Sequence, residues 1–328
     1  MIGVQLANKI GIIGYRNHAS RLLQLLEQRS DCKLDFIYHP TKLFDDSRAT
    51  NDLSKLLECD AIFIASPNHT HYRYLENLLQ NFKGYIFCEK PPVTSLIEIK
   101  KLESLDVEKK SRLYFNFNYR FSEINNNLKN QLNSDAIGKI IHVNIIYTQG
   151  LAFKKEYEKS WRADGKKNLH SITETVAIHY LDLLNLYFGN IEKLFYFPRL
   201  VSENGTSYDT SYLTLQYDNG VTASILNSYA SPSIDEITII GTNGYFTIKN
   251  NELSIYSPRD TFNPKGFFIS PPIIQKHSFS MENDYQNSLQ KSLDYFLSHV
   301  KETKPIDLGH FDTSLLTNKI ILNLTKQK

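Results

Sequence analysis

The sequence predicts an α/β protein with two domains: an N-terminal domain built on a mainly parallel β-sheet, and a C-terminal α+β domain with an open, largely antiparallel sheet. The chain has 328 residues, which exceeds the roughly 100–200 residues of a typical single domain. Its first third alternates short apolar runs with helical patterns, as repeated β-α-β units do. Beyond Arg120, long segments of alternating polar and apolar residues follow instead. We therefore expect one domain over residues 1–121 and a second over residues 122–328.

Short apolar runs define the predicted strands of the first domain. They are rich in Ile and Phe, and each is too short to form a helix of ordinary length. The segments between them carry apolar residues at helical spacing, for example Leu75, Leu78 and Leu79. The predicted strands are 9–13, 33–38, 60–65, 85–88 and 113–116, and the predicted helices are 19–28 and 71–81.

Alternating patterns and hairpin turns define the second domain. Asp218-Asn219-Gly220 and Asn243-Gly244 are turn sequences, because Asn and Gly tolerate the positive φ that tight hairpins require. Strands on either side of such turns pair in antiparallel fashion, which predicts the open sheet. The predicted strands are 140–147, 210–217, 221–229, 236–240 and 245–248.

Composition excludes several classes of partner. The 37 Lys and Arg residues nearly balance the 35 Asp and Glu residues, so no general electrostatic attraction toward nucleic acid or an anionic membrane is expected. No apolar run reaches the roughly 20 residues that cross a bilayer. The N-terminal residues lack the features of a secretory signal, and Cys32, Cys59 and Cys88 form no CxxC pair and are expected to be reduced, buried thiols. We expect a cytoplasmic protein that acts on a small molecule.

The turn after the first strand resembles a phosphate-binding turn. Such turns follow the pattern G-x-G-x-x-G/A between a strand and a helix. Gly14 and Ala19 fill the first and third positions, but Arg16 occupies the second. Its guanidinium either pairs with a phosphate oxygen or blocks the usual pose of a dinucleotide. The predicted cofactor contacts at this turn are Gly14, Tyr15, Arg16 and Asn17.

The end of the second strand bears on the choice between two cofactors. Dinucleotide folds that prefer NAD place an acidic residue there to bind the adenosine ribose. This chain has His39, Thr41 and Lys42 instead. Because no carboxylate would repel a 2′-phosphate, NADP is allowed at least as well as NAD. The alternative is that these are ordinary residues of a surface loop.

Two motifs together resemble the Gfo/Idh/MocA family of sugar and inositol oxidoreductases. The family has a strand that ends in T/S-P-N-x-x-H and a following strand that ends in E-K-P. This sequence has Ser66, Pro67, Asn68 and His71, and then Glu89-Lys90-Pro91. The resemblance covers nearly the whole chain, and its further matches are Asn118-Tyr-Arg-Phe121, Gly138-Lys-Ile140, Trp161-Arg162, His179-Tyr-Leu-Asp182 and Gly241-Thr-Asn-Gly244.

The resemblance implies an N-terminal Rossmann domain, a nicotinamide cofactor (NAD or NADP), and a C-terminal sheet that supports homodimers or homotetramers. It also implies roles for individual residues. The turn of Ser66, Pro67 and Asn68 is expected to lie against the cofactor, and Glu89 to approach its ribose. Lys90 is expected to point at the reacting sugar carbon. His71 and Arg120 belong to the same motifs and are expected at the cofactor site.

Lys90 and His179 are the predicted acid/base pair. Removing a hydride from a secondary alcohol requires a base for the hydroxyl proton and a positive charge near the developing alkoxide. His179 is expected on a helix that begins with the capping-box sequence Ser171-Ile-Thr-Glu174 and ends at Gly189. Many family members have an aspartate four residues before this histidine. Here the position is Thr175, so either Asp182 or Glu174 compensates, or lysine and histidine act alone, which we favour.

The predicted substrate-binding residues combine an aromatic face with charged groups. An indole can stack on a sugar, and an arginine can hold an acidic group. Lys166 and Lys167 either bind a diphosphate or form a solvated turn. A metal held by His69 and His71, or by His179 and Asp182, is the remaining alternative, but neither pair has a third ligand at motif spacing, so no metal is expected. The substrate-binding set is Lys90, Trp161, Arg162, Thr175, His179 and Asp182.

The sequence therefore indicates an NAD(P)-dependent oxidoreductase that acts on a CH–OH group of a sugar. The branch of the family that processes nucleotide-linked sugars for surface polysaccharides has a similar sequence around Trp161 and His179, which favours a nucleotide-sugar substrate. The alternative is a regulator or sensor of the same fold that binds a dinucleotide without turnover. Arg16 and Thr175 would suit such a protein, but it would need neither Lys90 nor His179.

Overall fold

The first sheet is parallel throughout. The structure, a computed structural model, describes residues 7–15, 18–132 and 134–324. Within these ranges the first sheet has six strands in the order β3-β2-β1-β4-β5-β6, and all neighbouring strands run parallel. The strands are β1 (Asn8–Ile13), β2 (Cys32–Tyr38), β3 (Ala49–Thr50), β4 (Ala61–Ile64), β5 (Tyr85–Glu89) and β6 (Leu113–Asn116).

Four helices connect these strands. The two that the apolar spacing predicts are present: Leu75 and Leu78 are buried as expected, and Leu79 is half-buried. The two-residue strand β3 is too short to leave a pattern in the sequence. The connecting helices are α1 (His18–Glu27), α2 (His71–Asn81), α3 (Leu96–Glu103) and α4 (Val107–Lys110).

The second sheet is open and mixed. It has eight strands in the order β14-β13-β12-β11-β7-β10-β9-β8, and only β7 and β10 pair in parallel. The predicted hairpin turns join β9 to β10 and β11 to β12. The strands are β7 (Ile140–Thr148), β8 (Ile191–Arg199), β9 (Thr210–Tyr217), β10 (Thr222–Ser228), β11 (Ile234–Gly241), β12 (Tyr245–Lys249), β13 (Glu252–Tyr256) and β14 (Ile273–Ser278).

One face of this second sheet is apolar and buried. Leu213, Ile225, Ile145 and Ile237 lie side by side across four strands and are almost completely shielded from solvent. The opposite face exposes large apolar side chains on β8 and β9, including Phe195, Phe197 and Tyr212. Strands β8, β13 and β14 were not predicted from the sequence. The two-domain α/β class, with a parallel first sheet and a largely antiparallel second one, is confirmed.

Contacts divide the chain into two compact units that differ from the sequence-based domains near the C-terminus. Unit 1 comprises the residues up to Phe117 together with Gln290–Leu322, and unit 2 comprises Asn118–Leu289 and the last residues from Asn323. Unit 2 therefore holds α5 (Glu123–Leu132) and α6 (Ile178–Phe188). Helix α7 (Met281–Glu302) passes from unit 2 into unit 1, to which most of α8 (Leu308–Asn323) belongs.

Aromatic packing explains why the second half of α7 belongs to unit 1. The ring of Phe296 is fully buried. It lies 5.3 Å from the ring of Phe63 and 5.3 Å from that of Phe87, both edge to face, and 5.7 Å from the ring of Tyr114. The three partners stand on β4, β5 and β6. A pattern of apolar residues in a helix does not reveal which sheet the helix covers, so the sequence left this helix in the second domain.

Two further expectations concern the whole chain. In the described parts of the molecule, none of the helices combines the length and apolar character that would let it cross a membrane. The thiols of Cys32, Cys59 and Cys88 are free and buried, as predicted.

We predict that Phe296→Ala lowers the free energy of unfolding by about 3–5 kcal/mol, because it removes a large buried ring and leaves a cavity. Urea unfolding of the purified variant measures the change. Phe267→Ala is the control, since the Phe267 side chain is 66% exposed and its loss should change stability by less than about 0.5 kcal/mol. Equal effects of the two substitutions would contradict the assignment of α7 to the core of unit 1.

Candidate cofactor and substrate sites

A glycine at the end of β1 shapes the predicted phosphate-binding turn. Gly14 has a φ of +110°, which L-residues rarely adopt. A Cβ atom there would lie 2.8 Å from the carbonyl oxygen of Ala65. The Gly14 amide donates to the carbonyl oxygen of Tyr38, 3.0 Å away, so the turn is held against β2. Arg16 and Asn17 lie outside the described residues, and their roles stay predictions.

The residues after β2 present a hydrogen-bond donor where NAD-specific folds present an acid. The Nδ1 atom of His39 accepts from the backbone amides of Thr41 and Lys42, at 3.3 and 3.0 Å. The proton of the neutral imidazole therefore resides on Nε2. Tyr15 packs against the edge of this ring and stacks on Phe44, with ring centroids 4.1 Å apart.

His71 joins the two motif turns. This histidine begins α2 and is fully buried. Its Nε2 lies 2.7 Å from the carbonyl oxygen of Ser66, and its Nδ1 lies 2.9 Å from that of Pro91. Burial lowers the pKa of His71, and the two carbonyl groups oppose that shift. The sequence placed His71 at the cofactor site, and the structure shows it holding the Ser66 turn against the Pro91 turn.

Asn68 has an unsatisfied buried donor. Its side chain is 7% exposed, and among the described residues its Nδ2 atom has no hydrogen-bond partner. A buried amide without a partner costs free energy, so a ligand acceptor is expected beside it. Together with the Gly14 turn, where a Cβ would not fit, this donor fits a bound dinucleotide.

Glu89 is held as a carboxylate at the end of β5. His18 Nε2 and Asn116 Nδ2 contact the same oxygen, Oε1, at 2.7 and 2.6 Å. Burial raises the pKa of Glu89, but His18, Lys90 and Asn116 outweigh it, and the pKa lies below its ordinary value. Asn116 in turn accepts from Ser292, 2.6 Å away. Sequence reasoning missed His18 and Asn116, because nothing local links them to Glu89.

The helix that carries His179 begins with a π turn. Thr173–Ala177 forms this turn and continues directly into α6. Such turns are frequent at functional sites. The predicted capping box is not formed: Ser171 has a φ of +32°, and Glu174 accepts from the backbone amide of His170 at 3.2 Å. The widened turn changes the spacing on which the capping-box prediction depends.

His179 stands in an aromatic setting in the first turn of α6. Its ring is buried and stacks on Tyr119, with centroids 4.5 Å apart and planes 20° apart. Tyr180 packs edge to face on the same tyrosine. Four residues earlier, Thr175 Oγ1 lies 2.9 Å from the carbonyl oxygen of Ser171 and 2.6 Å from the Tyr229 hydroxyl. Thr175 thus fills the position of the family aspartate with a neutral, fully engaged side chain.

The predicted substrate loop contains a stacked pair. The guanidinium of Arg162 lies over the indole of Trp161, 4.6 Å from the ring centroid. Burial raises the pKa of Tyr229, and the charge of Arg162 and a hydrogen bond from its side chain oppose this. Arg162 and Thr175 therefore both contact Tyr229, which sequence analysis did not single out.

Arg120 and Asp182 form a buried ion pair within unit 2. Arg120 Nε donates to Asp182 Oδ2 at 2.7 Å, and Nη2 donates to Oδ1 at 2.6 Å. The side chains are 9% and 1% exposed. Such bidentate pairs are strong and fix orientation. Asp182 was expected near the substrate and Arg120 near the cofactor; here they bind each other and fix one face of α6.

A metal site finds no support in the described part of the chain, which contains no group of three or more His, Cys, Asp or Glu side chains arranged to hold an ion. His71 is engaged by two carbonyl groups and Asp182 by Arg120.

We predict that Glu174→Gln stabilises the protein above neutral pH. Burial raises the pKa of Glu174 to about 7, although the bond from the His170 amide opposes the shift. Because the folded-state pKa lies above the unfolded one, ionisation costs stability as the pH rises from about 4.5 through 7. The variant should exceed the wild type by about 3 kcal/mol at pH 8 and match it near pH 4.5.

Urea unfolding at a series of pH values measures this difference. Glu158→Gln is the matched control, because Glu158 is an exposed glutamate of the same unit. A difference that does not change between pH 4.5 and 8 would contradict the buried, acid-form description of Glu174.

Comparison with known proteins identifies the family of the chain. A model described as "Oxidoreductase family, NAD-binding Rossmann fold" matches residues 8–117, and a GFO/IDH/MocA C-terminal domain model matches residues 126–247. Oxidoreductase P35 of Formosa agariphila is 25% identical over 299 residues, which are 89% of this chain and 87% of that protein.

Solved structures share the fold at lower identity. An oxidoreductase from Agrobacterium radiobacter, in complex with NAD+, L-tartaric acid and magnesium, has a TM-score of 0.77 at 19% identity over 98% of this chain and 96% of its own. The myo-inositol 2-dehydrogenase of Lactobacillus plantarum has a TM-score of 0.76 at 17% identity over 98% and 97%.

The family models match both units, on the residues that carry the two motif turns and His179. The expected fold and the expected cofactor, NAD or NADP, are thereby confirmed. This chain belongs to the Gfo/Idh/MocA family of oxidoreductases and carries an NAD-binding Rossmann domain.

Proposed function

We propose that this protein is an NAD(P)-dependent dehydrogenase or reductase that acts on a secondary alcohol or ketone of a sugar or cyclitol. The observation that carries the proposal is that the chain has both Lys90 and His179, and that the surroundings of each are ordered by hydrogen bonds or ring stacking. Lys90 follows a glutamate whose carboxylate is held by two partners. His179 is buried and oriented by stacking on Tyr119.

Residues of unit 1 would hold the cofactor. The turn at Gly14 would accept the diphosphate, the free amide donor of Asn68 would bind along the cofactor, and Glu89 would accept from a ribose hydroxyl. The bound nicotinamide supplies the acceptor or donor of the hydride. His39, through Nε2, and Lys42 provide donors for a 2′-phosphate, so we propose that NADP binds at least as well as NAD.

Lys90 and His179 would handle the proton. As the hydride leaves a carbinol carbon, the hydroxyl proton must leave as well, and an adjacent cation lowers the energy of the resulting oxyanion. We propose that His179 takes this proton and that Lys90 donates a hydrogen bond to the same oxygen. Stacking on Tyr119 and the Arg120–Asp182 pair act on this step only by fixing the orientation of the histidine ring.

The substrate class follows from the loop around Trp161. The indole of the half-buried Trp161 suits a sugar ring, and the Arg162 guanidinium that lies over it suits an acidic substituent. Similarity to a myo-inositol 2-dehydrogenase favours a cyclic polyol. Within this class we propose a nucleotide-linked sugar of polysaccharide biosynthesis as the narrower identity, although Lys167, one of the two lysines suited to a diphosphate, is paired with Asp164.

The exposed apolar face of the second sheet would be covered in a homodimer or homotetramer. Phe195 and Phe197 on β8 are each more than half exposed, and Tyr212 on β9 stacks beside Phe197. Apolar patches of this kind mark interaction surfaces. We also propose that the protein works in the cytoplasm, where nicotinamide dinucleotides are available and buried thiols stay reduced.

We predict that Lys90→Ala and His179→Ala each lower kcat by about 10²–10⁴-fold, because each removes a group that acts on the reacting proton or oxyanion. The assay follows cofactor absorbance with myo-inositol, D-glucose and UDP-N-acetylglucosamine, each with NAD and NADP. Lys83→Ala is the matched control, because Lys83 is an exposed lysine of unit 1.

Binding of NADH or NADPH by each variant, measured by calorimetry, separates a chemical defect from a lost cofactor site. Unchanged turnover in both alanine variants would show that the assigned mechanism is wrong. Cofactor binding by the wild type without turnover of any of these compounds, or of their oxidised forms, would instead favour a dinucleotide-binding regulator.

A further inference from the structure

A row of polar side chains ends the buried face of the second sheet. The backbone register places Ser211 on β9 beside Asn227 on β10, Asn227 beside Tyr147 on β7, and Tyr147 beside Asp235 on β11. The next row on the same face is apolar, with Ile145 at its centre. We call the four residues Ser211, Asn227, Tyr147 and Asp235 the end row.

One half of the end row is satisfied by the π turn. Thr173 Oγ1 lies 2.9 Å from Ser211 Oγ, and Asn227 Nδ2 donates to the same serine oxygen at 2.9 Å. These contacts place the π turn, and with it the start of α6, over the end row. The polar side chains here are therefore neighbours of the helix that carries His179.

The other half of the end row contains the acid Asp235. The Oδ1 atom of Asp235 is buried, and among the described residues it has no hydrogen-bond partner. Burial raises the pKa of Asp235. A buried carboxylate oxygen normally receives one or more hydrogen bonds, because its desolvation is costly. The protein thus maintains an acceptor that its own described residues do not use.

Asp235 belongs to the surroundings of His179. Burial raises the pKa values of Tyr119, Tyr147 and Tyr180, and the charge of Asp235 raises each of them further. Tyr119 stacks on His179, and Tyr180 is the next residue of the same helix. The contacts run the same way: Asp235 lies opposite Tyr147 on the neighbouring strand, the Tyr147 ring lies 6.2 Å from that of Tyr180, and Tyr180 packs on Tyr119.

The other acids near this helix are engaged. Asp182 receives two hydrogen bonds from Arg120, and Glu174 accepts from the His170 amide. The position of the family aspartate is Thr175, whose hydroxyl is bound to Ser171 and Tyr229. Of the acids discussed around His179, Asp235 alone has a buried oxygen that no described residue occupies.

We propose that Asp235 is a substrate-binding residue whose carboxylate accepts hydrogen bonds from hydroxyl groups of a polyhydroxylated substrate. This inference rests on the proposed function, and it places a substrate contact on β11, far from the sequence motifs. Hydroxyl groups are donors that a carboxylate accepts at about 2.5–2.7 Å. A substrate that lacked them would leave the oxygen buried and unpaired, so Asp235 would select polyols against deoxygenated analogues.

The first test uses the ligand-free protein. A buried carboxylate that is kept for binding lowers the stability of the ligand-free protein. The neutral amide of Asp235→Asn removes the buried charge, so this variant should raise Tm at pH 8 by about 2–4 °C. Asp235→Ser serves as a second variant if the amide disturbs folding. Glu236→Gln is the matched control, because Glu236 is the next residue of the same strand, faces the other side of the sheet and is paired with Lys249. A fall in Tm for both Asp235 variants would overturn the proposal, since the carboxylate would then already be satisfied.

The second test uses the kinetics of the holoenzyme with myo-inositol, D-glucose and UDP-N-acetylglucosamine. Asp235→Asn should raise KM for the accepted compound at least tenfold while the affinity for NADH and NADPH stays within twofold, and Glu236→Gln should change neither. Unchanged KM in Asp235→Asn would overturn the inference and leave the proposed function intact. Absence of turnover by the wild type would count against the proposed function instead, and the Tm test would then decide whether the carboxylate is satisfied.

Discussion

The buried ring of His71, which contacts one carbonyl group of each motif turn, sets the geometry of the cofactor edge. Parallel strands bring their carboxyl ends to one edge of a sheet, but the turns that follow are loops without regular hydrogen bonding. By bridging the carbonyl groups of Ser66 and Pro91, a buried imidazole holds one such turn against the next. Asn68, Glu89 and Lys90 are consequently presented from turns in a fixed relation. His71, which the sequence predicts at the cofactor site, thus contacts both turns whose residues are proposed to bind the cofactor.

In unit 2, ionic and aromatic contacts fix the helix that carries His179. The Arg120–Asp182 pair fixes one face of α6, and Tyr119 stacks on the His179 ring. The π turn widens the helix just before that histidine. Asp235 is the exception in unit 2, because its buried Oδ1 atom has no hydrogen-bond partner among the residues that the structure describes. An unpaired buried acceptor lowers the stability of the free protein. Sites that bind polar ligands commonly retain this cost, because a bound ligand supplies the missing hydrogen bond.

Sequence reasoning succeeded where the determinant is local. Five strands of the first sheet, helices α1 and α2, and the hairpin turns follow from periodicity and from residues with special backbone freedom, whereas the two-residue strand β3 does not. The capping box failed because Ser171 adopts a positive φ and the following turn is widened. The partnership of His18 with Glu89 joins residues 71 positions apart, and Asp235 meets Tyr147 only through strand pairing. Nor does an apolar helix pattern state which sheet it covers, so the return of α7 to unit 1 was not foreseen.

The proposed dinucleotide site is tested most directly by the affinity of the purified protein for NADH and NADPH, followed through dihydronicotinamide emission. Absorbance of the denatured protein must first show that no cofactor was retained. We expect saturable binding of both, with NADPH bound at least as tightly as NADH, because His39 and Lys42 replace the usual acid. Failure to bind either reduced cofactor, and failure of the oxidised forms to compete, would contradict the assignment of these strand-end turns as a working dinucleotide site.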